Sequence, residues 1–147
     1  MATITLTEEQ LRLVQSALEF YSRVGIGQFE VIKEHPTFEK VLRKEFKDKE
    51  GNVDYGRYHE VRESVDIMLV QPRNMLLNDL TLPKAGSWGI YNPDVDESCR
   101  VSYDILQVIR HEFWLADPDR SEHVVMSSVH LTTKDSNKIK VKLWNNA

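Results

Sequence analysis

Arg100, Asp104, Gln107 and His111 follow one another at intervals of four, three and four residues. That spacing stacks side chains along one face of a helix. The four supply a guanidinium, a carboxylate, an amide and an imidazole, with Tyr103 and Trp114 flanking them and Arg110 at the border. Arginine grips phosphate or carboxylate through paired hydrogen bonds. Asp104 and Gln107 are suited to reading a base or ribose edge, and the aromatic rings to stacking on a planar one. Such a set fits an anionic ligand that carries a ring, such as a nucleotide derivative. Two plainer readings stand beside it. Arg100 and Asp104 would form an exposed ion pair worth about 0.2–0.5 kcal/mol, or the stripe would be a contact between copies of the chain.

Other groupings carry less chemistry. His59 and Glu63 lie one turn apart with Glu60 between them, a spacing that can hold a metal. Glu60, Glu63 and Asp66 are similar to the first acidic motif of the all-α nucleoside triphosphate pyrophosphohydrolases. The second acidic element that those enzymes need is missing from this chain. A metal-dependent nucleotide phosphohydrolase using Glu60, Glu63 and Asp66 is therefore the alternative function. A second enzymatic version pairs His111 with Asp104 as acid and base. A charged, solvated helix face is the simpler account of His59, Glu60 and Glu63. The chain has no H-E-x-x-H, G-x-S-x-G, phosphate-loop or G-x-G-x-x-G pattern. Cys99, the one cysteine, falls in a helix's first turn, where the dipole favours a thiolate, but its neighbourhood to Val101 suits a buried thiol. No catalytic residue is assigned and no cofactor is expected.

The elements that must position the stripe are mostly helices. A helix from about Asp94 to Trp114 has Asp94 and Glu97 as a capping box and Val101, Ile105, Val108, Ile109 and Phe113 on its apolar side. It should stop near Ala116-Asp117-Pro118. An earlier helix opens at Thr7, capped with Gln10, and buries Leu11, Val14, Leu18 and Tyr21. Gly25 and Gly27 would kink it, end it or let it run on to Ile32. A short helix after Pro36 carries Phe38, Val41, Leu42 and Phe46, and Lys47 to Gly56 reads as an exposed, mobile loop. Another helix spans Tyr58 to Asn78, with Val61, Val65, Met68, Leu69, Met75 and Leu76 as its apolar set and Pro72 as a kink or break. Asp79 to Pro93 is a loop whose Trp88, Ile90 and Tyr91 argue for order. His123 to Thr132 and Lys138 to Trp144 alternate like two strands of a hairpin, which a strand at Ala2 to Leu6 would join. The expected fold class is α+β: a single domain over 1–147, mainly helical with three to five helices, and a small C-terminal antiparallel β-hairpin.

The composition narrows the partners. A net charge of −4 disfavours non-specific nucleic-acid binding, which needs clustered Lys and Arg. No apolar run approaches the roughly 18 residues of a membrane helix, and Met1 to Thr7 has no leader pattern. One cysteine fits a reducing compartment. The expectation is a cytoplasmic protein.

Two blocks of the chain resemble a family of small, mostly uncharacterised proteins of tailed bacteriophages and prophages. One runs from Gly89-Ile90 to Arg100-Val101-Ser102-Tyr103-Asp104-Ile105-Leu106-Gln107-Val108-Ile109-Arg110-His111. The other comprises Leu18 to Arg23 followed by Gly27-Gln28-Phe29-Glu30. The resemblance covers about a third of the chain. It implies phage origin, action in the host cytoplasm, and a clustering of Tyr21, Arg23, Gln28 and Glu30 with Arg100, Asp104, Gln107, Arg110 and His111, beside the loop that holds Trp88. By analogy with small phage anti-defence proteins, the expected function is binding. The chain would sequester a nucleotide-derived host immune signal, or bind a host protein, as a homo-oligomer. A structural or assembly oligomer without a ligand is the remaining alternative.

Overall fold

The computed structural model describes residues 4–78, 81, 86–120, 128–133 and 140–141. They form five helices: α1 (Glu8–Gly25), α2 (Glu30–Glu34), α3 (Pro36–Glu45), α4 (Tyr55–Leu76) and α5 (Glu97–Ala116). The chain divides into two compact units, one made of Met1–Ser22 with Ile90–Ala147, the other of Arg23–Gly89. The boundary falls inside α1.

The expected α+β class is corrected to a mainly helical one. No strand occurs among the described residues. Residues 4–6 of the proposed N-terminal strand are not strand, and 128–132, the end of the first proposed hairpin strand, are bend and coil. The rest of the hairpin, 123–127 and nearly all of 138–144, lies outside the described residues. The physical reason is visible at Thr132 and Thr133, whose backbone N–H groups donate to a side chain of α5 instead of to a ladder. An alternating pattern predicts a strand only if the backbone donors are free to pair with another strand.

In the first unit, α1 opens with the capping box expected of Thr7 and Gln10. The Thr7 N–H donates to Gln10 Oε1 at 2.8 Å, and the Gln10 N–H to Thr7 Oγ1 at 3.2 Å. The helix runs antiparallel to α5: the Arg12 guanidinium lies 4.2 Å from the Phe113 ring centre, and Tyr21 meets Ser98. α5 begins two residues later than expected, because Asp96, not Asp94, is the cap: its Oδ1 accepts from the Ser98 N–H at 2.8 Å. Val95, Cys99, Leu106 and Ile109 are buried.

In the second unit, α1 ends in a Schellman motif. The Gly27 N–H donates to Val24 O (3.0 Å) and the Gln28 N–H to Arg23 O (2.9 Å), with Gly27 in the left-handed region at φ 84°. So Gly25 is the last helical residue, and Gly27 turns the chain into α2. His35 alone separates α2 from α3, which opens at Pro36, and His35 Nδ1 accepts from the Thr37 N–H. The segment expected to be an exposed loop, Lys47 to Gly56, is exposed over 47–52 and forms a tight turn, and its last two residues belong to α4. Asp48 Oδ1 accepts from the N–H groups of Glu50 and Asn52, Gly51 supplies φ 89°, and Lys47 bridges to Val53.

α4 continues through Pro72 as one helix. Its inward face is Tyr58, Arg73 and Asn74, continued by Leu77 just past its end, with Arg62 and Asp66 half-buried between them. The expected apolar set is corrected here, since Met68, Met75 and Leu76 are exposed. The second half of α4 carries apolar side chains on almost every side, so periodicity cannot choose the buried face. Polar ties choose it. Lys33 Nζ of α2 pairs with Asp66 at 2.5 Å and Arg62 Nη1 with Glu39 of α3 at 2.9 Å.

The tie between α3 and α4 is a network around Glu39. Its carboxylate accepts from the Tyr58 hydroxyl, from Arg62 Nη1 at 2.9 Å and from Arg43 Nε at 2.6 Å. The Tyr58 hydrogen bond, then the arginines, hold Glu39 below the ordinary 4.5, and the same hydrogen bond pushes Tyr58 above 10.0. A folded-state pKa below the unfolded one means stability that is present above the unfolded value and lost as pH falls through the folded value. Urea midpoints should therefore fall as pH drops below about 4.5, and Glu39→Gln should flatten that acid limb. An unchanged limb in the variant would remove Glu39 as its source.

Candidate functional site

The stripe lies in the first unit, and the structure gives its members different roles. Asp104 is fully buried, with 0% of its surface exposed. Its carboxylate accepts from the Thr132 N–H at 2.7 Å, the Thr133 N–H at 2.9 Å and Thr133 Oγ1 at 2.8 Å. Thr132 Oγ1 also donates to Arg100 O at 3.3 Å. Gln107 is buried too. The middle of the stripe is thus an anchor that clasps the 132–133 segment onto α5. Thr132, read from sequence as the end of a strand, and Thr133 just after it are the residues that Asp104 of the stripe meets. Consecutive threonines offering two N–H groups and a hydroxyl match a carboxylate, but nothing local in the sequence places them opposite Asp104.

Arg100 is half-buried, one turn before Asp104. Its Nε is buried and has no acceptor among the described residues. Its charge also helps to lower the Asp96 carboxyl, although hydrogen bonds from Ser98 are the larger cause. Tyr103 is half-buried. Burial, then Tyr91, pushes its hydroxyl above 10.0, and Arg110 opposes the shift. Arg110 Nη2 pairs with Glu19 of α1 at 2.8 Å. The His111 ring stacks on Trp114, with centroids 5.6 Å apart and planes at 21°, and the Arg120 guanidinium lies 5.5 Å from the same indole. The Tyr21 hydroxyl bonds Ser98 Oγ at 2.8 Å.

The first unit therefore holds Tyr21, Arg100, Tyr103, Asp104, Gln107, Arg110 and His111. The remaining expected site residues belong to the second. There Arg23 and Gln28 form part of the Schellman motif, Glu30 is exposed in the first turn of α2, and the half-buried Trp88 donates its N–H to Ile26 O at 2.9 Å.

The chemistry open to these groups is limited. Asp104 is fully buried and its carboxylate already accepts three hydrogen bonds from Thr132 and Thr133, which gives it a structural task in the folded chain. Among the described residues no three His, Cys, Asp or Glu side chains converge as a metal would require. Asp66 is held by Lys33, and His59 packs edge-on to Tyr58 with ring centres 5.3 Å apart. Cys99 is buried, and desolvation raises its thiol pKa, the opposite of an activated nucleophile. No helix among the described residues is long and apolar enough to cross a membrane. Comparison with protein-family models, curated proteins and solved structures finds no match to this chain.

Proposed function

We propose that this is a small phage-encoded binding protein of the host cytoplasm, which sequesters an anionic, ring-bearing ligand such as a nucleotide-derived host immune signal, or else binds a host protein. Recognition centres on Arg100 in the first unit. The observation that supports this reading is the buried Arg100 Nε without an acceptor. Leaving a buried donor unsatisfied costs about 1–3 kcal/mol, more when the group is charged. A phosphate or carboxylate oxygen would satisfy it, with Tyr103 offering a ring face nearby in sequence. Asp104 has a holding role in this reading: it fixes the wall formed by Thr132 and Thr133.

The test is a thermal-shift panel of cyclic mono- and dinucleotides and ADP-ribose derivatives, with recovery of the ligand after denaturation. A true ligand at 100 times its Kd adds about 2.7 kcal/mol, which raises Tm by about 5–10 °C. The ligand should come back intact, and Arg100→Gln should weaken binding at least tenfold while Tm without ligand changes little. No shift across the panel would remove the small-molecule version and leave a host protein as the partner. A consumed ligand would replace binding by turnover.

A further inference from the structure

The second half of α4 is built inside out. Arg73 and Asn74 are 4% and 5% exposed, whereas Ile67, Met68, Met75 and Leu76 are 59%, 72%, 72% and 52% exposed. Glu63 and Ser64 bound the outward face at its start, Gln71 interrupts it, and Pro72 lies at its centre. Monomers rarely leave so large an apolar patch open without a use for it.

The order of residues on this face says what covers it. Reading outward from the 71–72 peptide, Met68 mirrors Met75 and Ile67 mirrors Leu76. The four apolar residues are thus placed symmetrically about the Gln71–Pro72 midpoint. Such placement suits a two-fold interface, in which residue i of one copy meets j of the other and j meets i. We infer that this face is where two copies of the chain pair, α4 against α4 in antiparallel register, with the two-fold axis passing the 71–72 peptide. At each end Met68 of one copy then packs on Met75 of the other, with Ile67 of the first and Leu76 of the second on opposite flanks. Methionine suits the centre of such a contact, since its flexible thioether fills irregular gaps. Two faces of this size remove on the order of 1,000 Å² in total, about the least a specific interface needs. The inference is independent of the Arg100 reading, which concerns the other unit.

Light scattering and sedimentation on the full chain test it. Wild type should show twice the 17.1 kDa chain mass at about 100 μM, within the micromolar Kd range open to a small interface. Met68→Glu should weaken dimerisation at least tenfold while keeping its helical circular dichroism. Met68→Glu with Met75→Lys should restore the dimer, because antiparallel register sets each Glu opposite the other copy's Lys. Gln71→Cys should form a disulfide-linked dimer under mild oxidation, with wild type as the control because Cys99 is buried. This readout does not depend on a destabilising change. A monomeric wild type overturns the inference. So does a folded Met68→Glu variant that still dimerises, or failure of both the charge-pair rescue and the Gln71→Cys link.

Discussion

Replacing Asp104 with alanine is expected to lower the melting temperature by about 10 °C, corresponding to about 3–5 kcal/mol. The change removes an acceptor for three hydrogen bonds at once, from the Thr132 and Thr133 N–H groups and Thr133 Oγ1. Bonds to a charged group contribute about 1.5–3 kcal/mol each, and donors left buried without a partner add a penalty. Part of that is recovered if the 132–133 segment moves out to water, which is why the sum is smaller than three full bonds. Asp104→Asn should lose about half as much, since the amide keeps one acceptor oxygen and turns an NH₂ towards the remaining donors. Amide hydrogen exchange provides a local check. Protection at Thr132 and Thr133 should collapse in Asp104→Ala while α5 stays helical. A variant that melts like wild type, with both amides still protected, would show that the carboxylate does not hold this segment. The same experiment separates a holding role from a catalytic one, because a catalytic carboxylate is usually removed at little cost in stability.

Gly27→Ala is expected to destabilise the second unit by about 2–4 kcal/mol. Two independent effects combine. Gly27 sits at φ 84°, where an L side chain costs about 1–2 kcal/mol. An added Cβ would also stand 2.5 Å from Leu77 Cδ1, 3.1 Å from Leu77 Cγ and 3.2 Å from Arg73 Cγ. Leu77 is 1% exposed and Arg73 4%, so neither can swing away freely, and overpacking of this kind costs about 1–3 kcal/mol. A double-mutant cycle divides the two contributions. Leu77→Ala alone opens a cavity costing about 2–5 kcal/mol, but in the Gly27→Ala background it also relieves the clash. The pair should therefore lose less than the sum of the singles. The φ penalty should remain. Urea midpoints of the four proteins give the coupling directly, and strict additivity would show that Leu77 does not confine the glycine.

Both sites bear on how function is held. Asp104 shapes the surroundings of Arg100 within the first unit. Gly27 fixes how the chain leaves α1, and with it the packing of Leu77, next to the exposed face of α4.

Local signals were the legible part of this sequence. Thr7 with Gln10, the helix that follows Pro36 and Asp117-Pro118 after a helix end are read from neighbouring residues, because caps and breakers act over three or four positions; Asp54, which caps α4 at Tyr55, was missed and the helix was expected three residues later. The helical periodicity of α1 and α5 was legible too, but not their covered faces: Tyr21, expected inside, is exposed, and Asp104 and Gln107 of the polar stripe are buried. The start of α5 was misplaced by two residues because Asp94 and Asp96 are both competent caps, and only the bond from Ser98 to Asp96 separates them. Long-range partners were not legible. The stripe of α5 has the same sequence whether it faces water, a ligand or another part of the chain. Thr132 and Thr133, 28 and 29 positions from Asp104, decided that its carboxylate is an anchor, and the same contact took the end of the expected hairpin out of any ladder. In α4 the apolar residues surround the helix, so hydrophobicity alone named no inner face. The tie of Asp66 to Lys33 and of Arg62 to Glu39, with Arg73 and Asn74 buried, turned Met68 and Met75 outward. The sequence alone thus determined that the chain is mainly helical and placed α1, α3, α4 and α5 to within a few residues, but it did not separate α2 as a helix of its own. Tertiary structure alone decided which side of each helix is covered, because the donors that settle it lie far away along the chain.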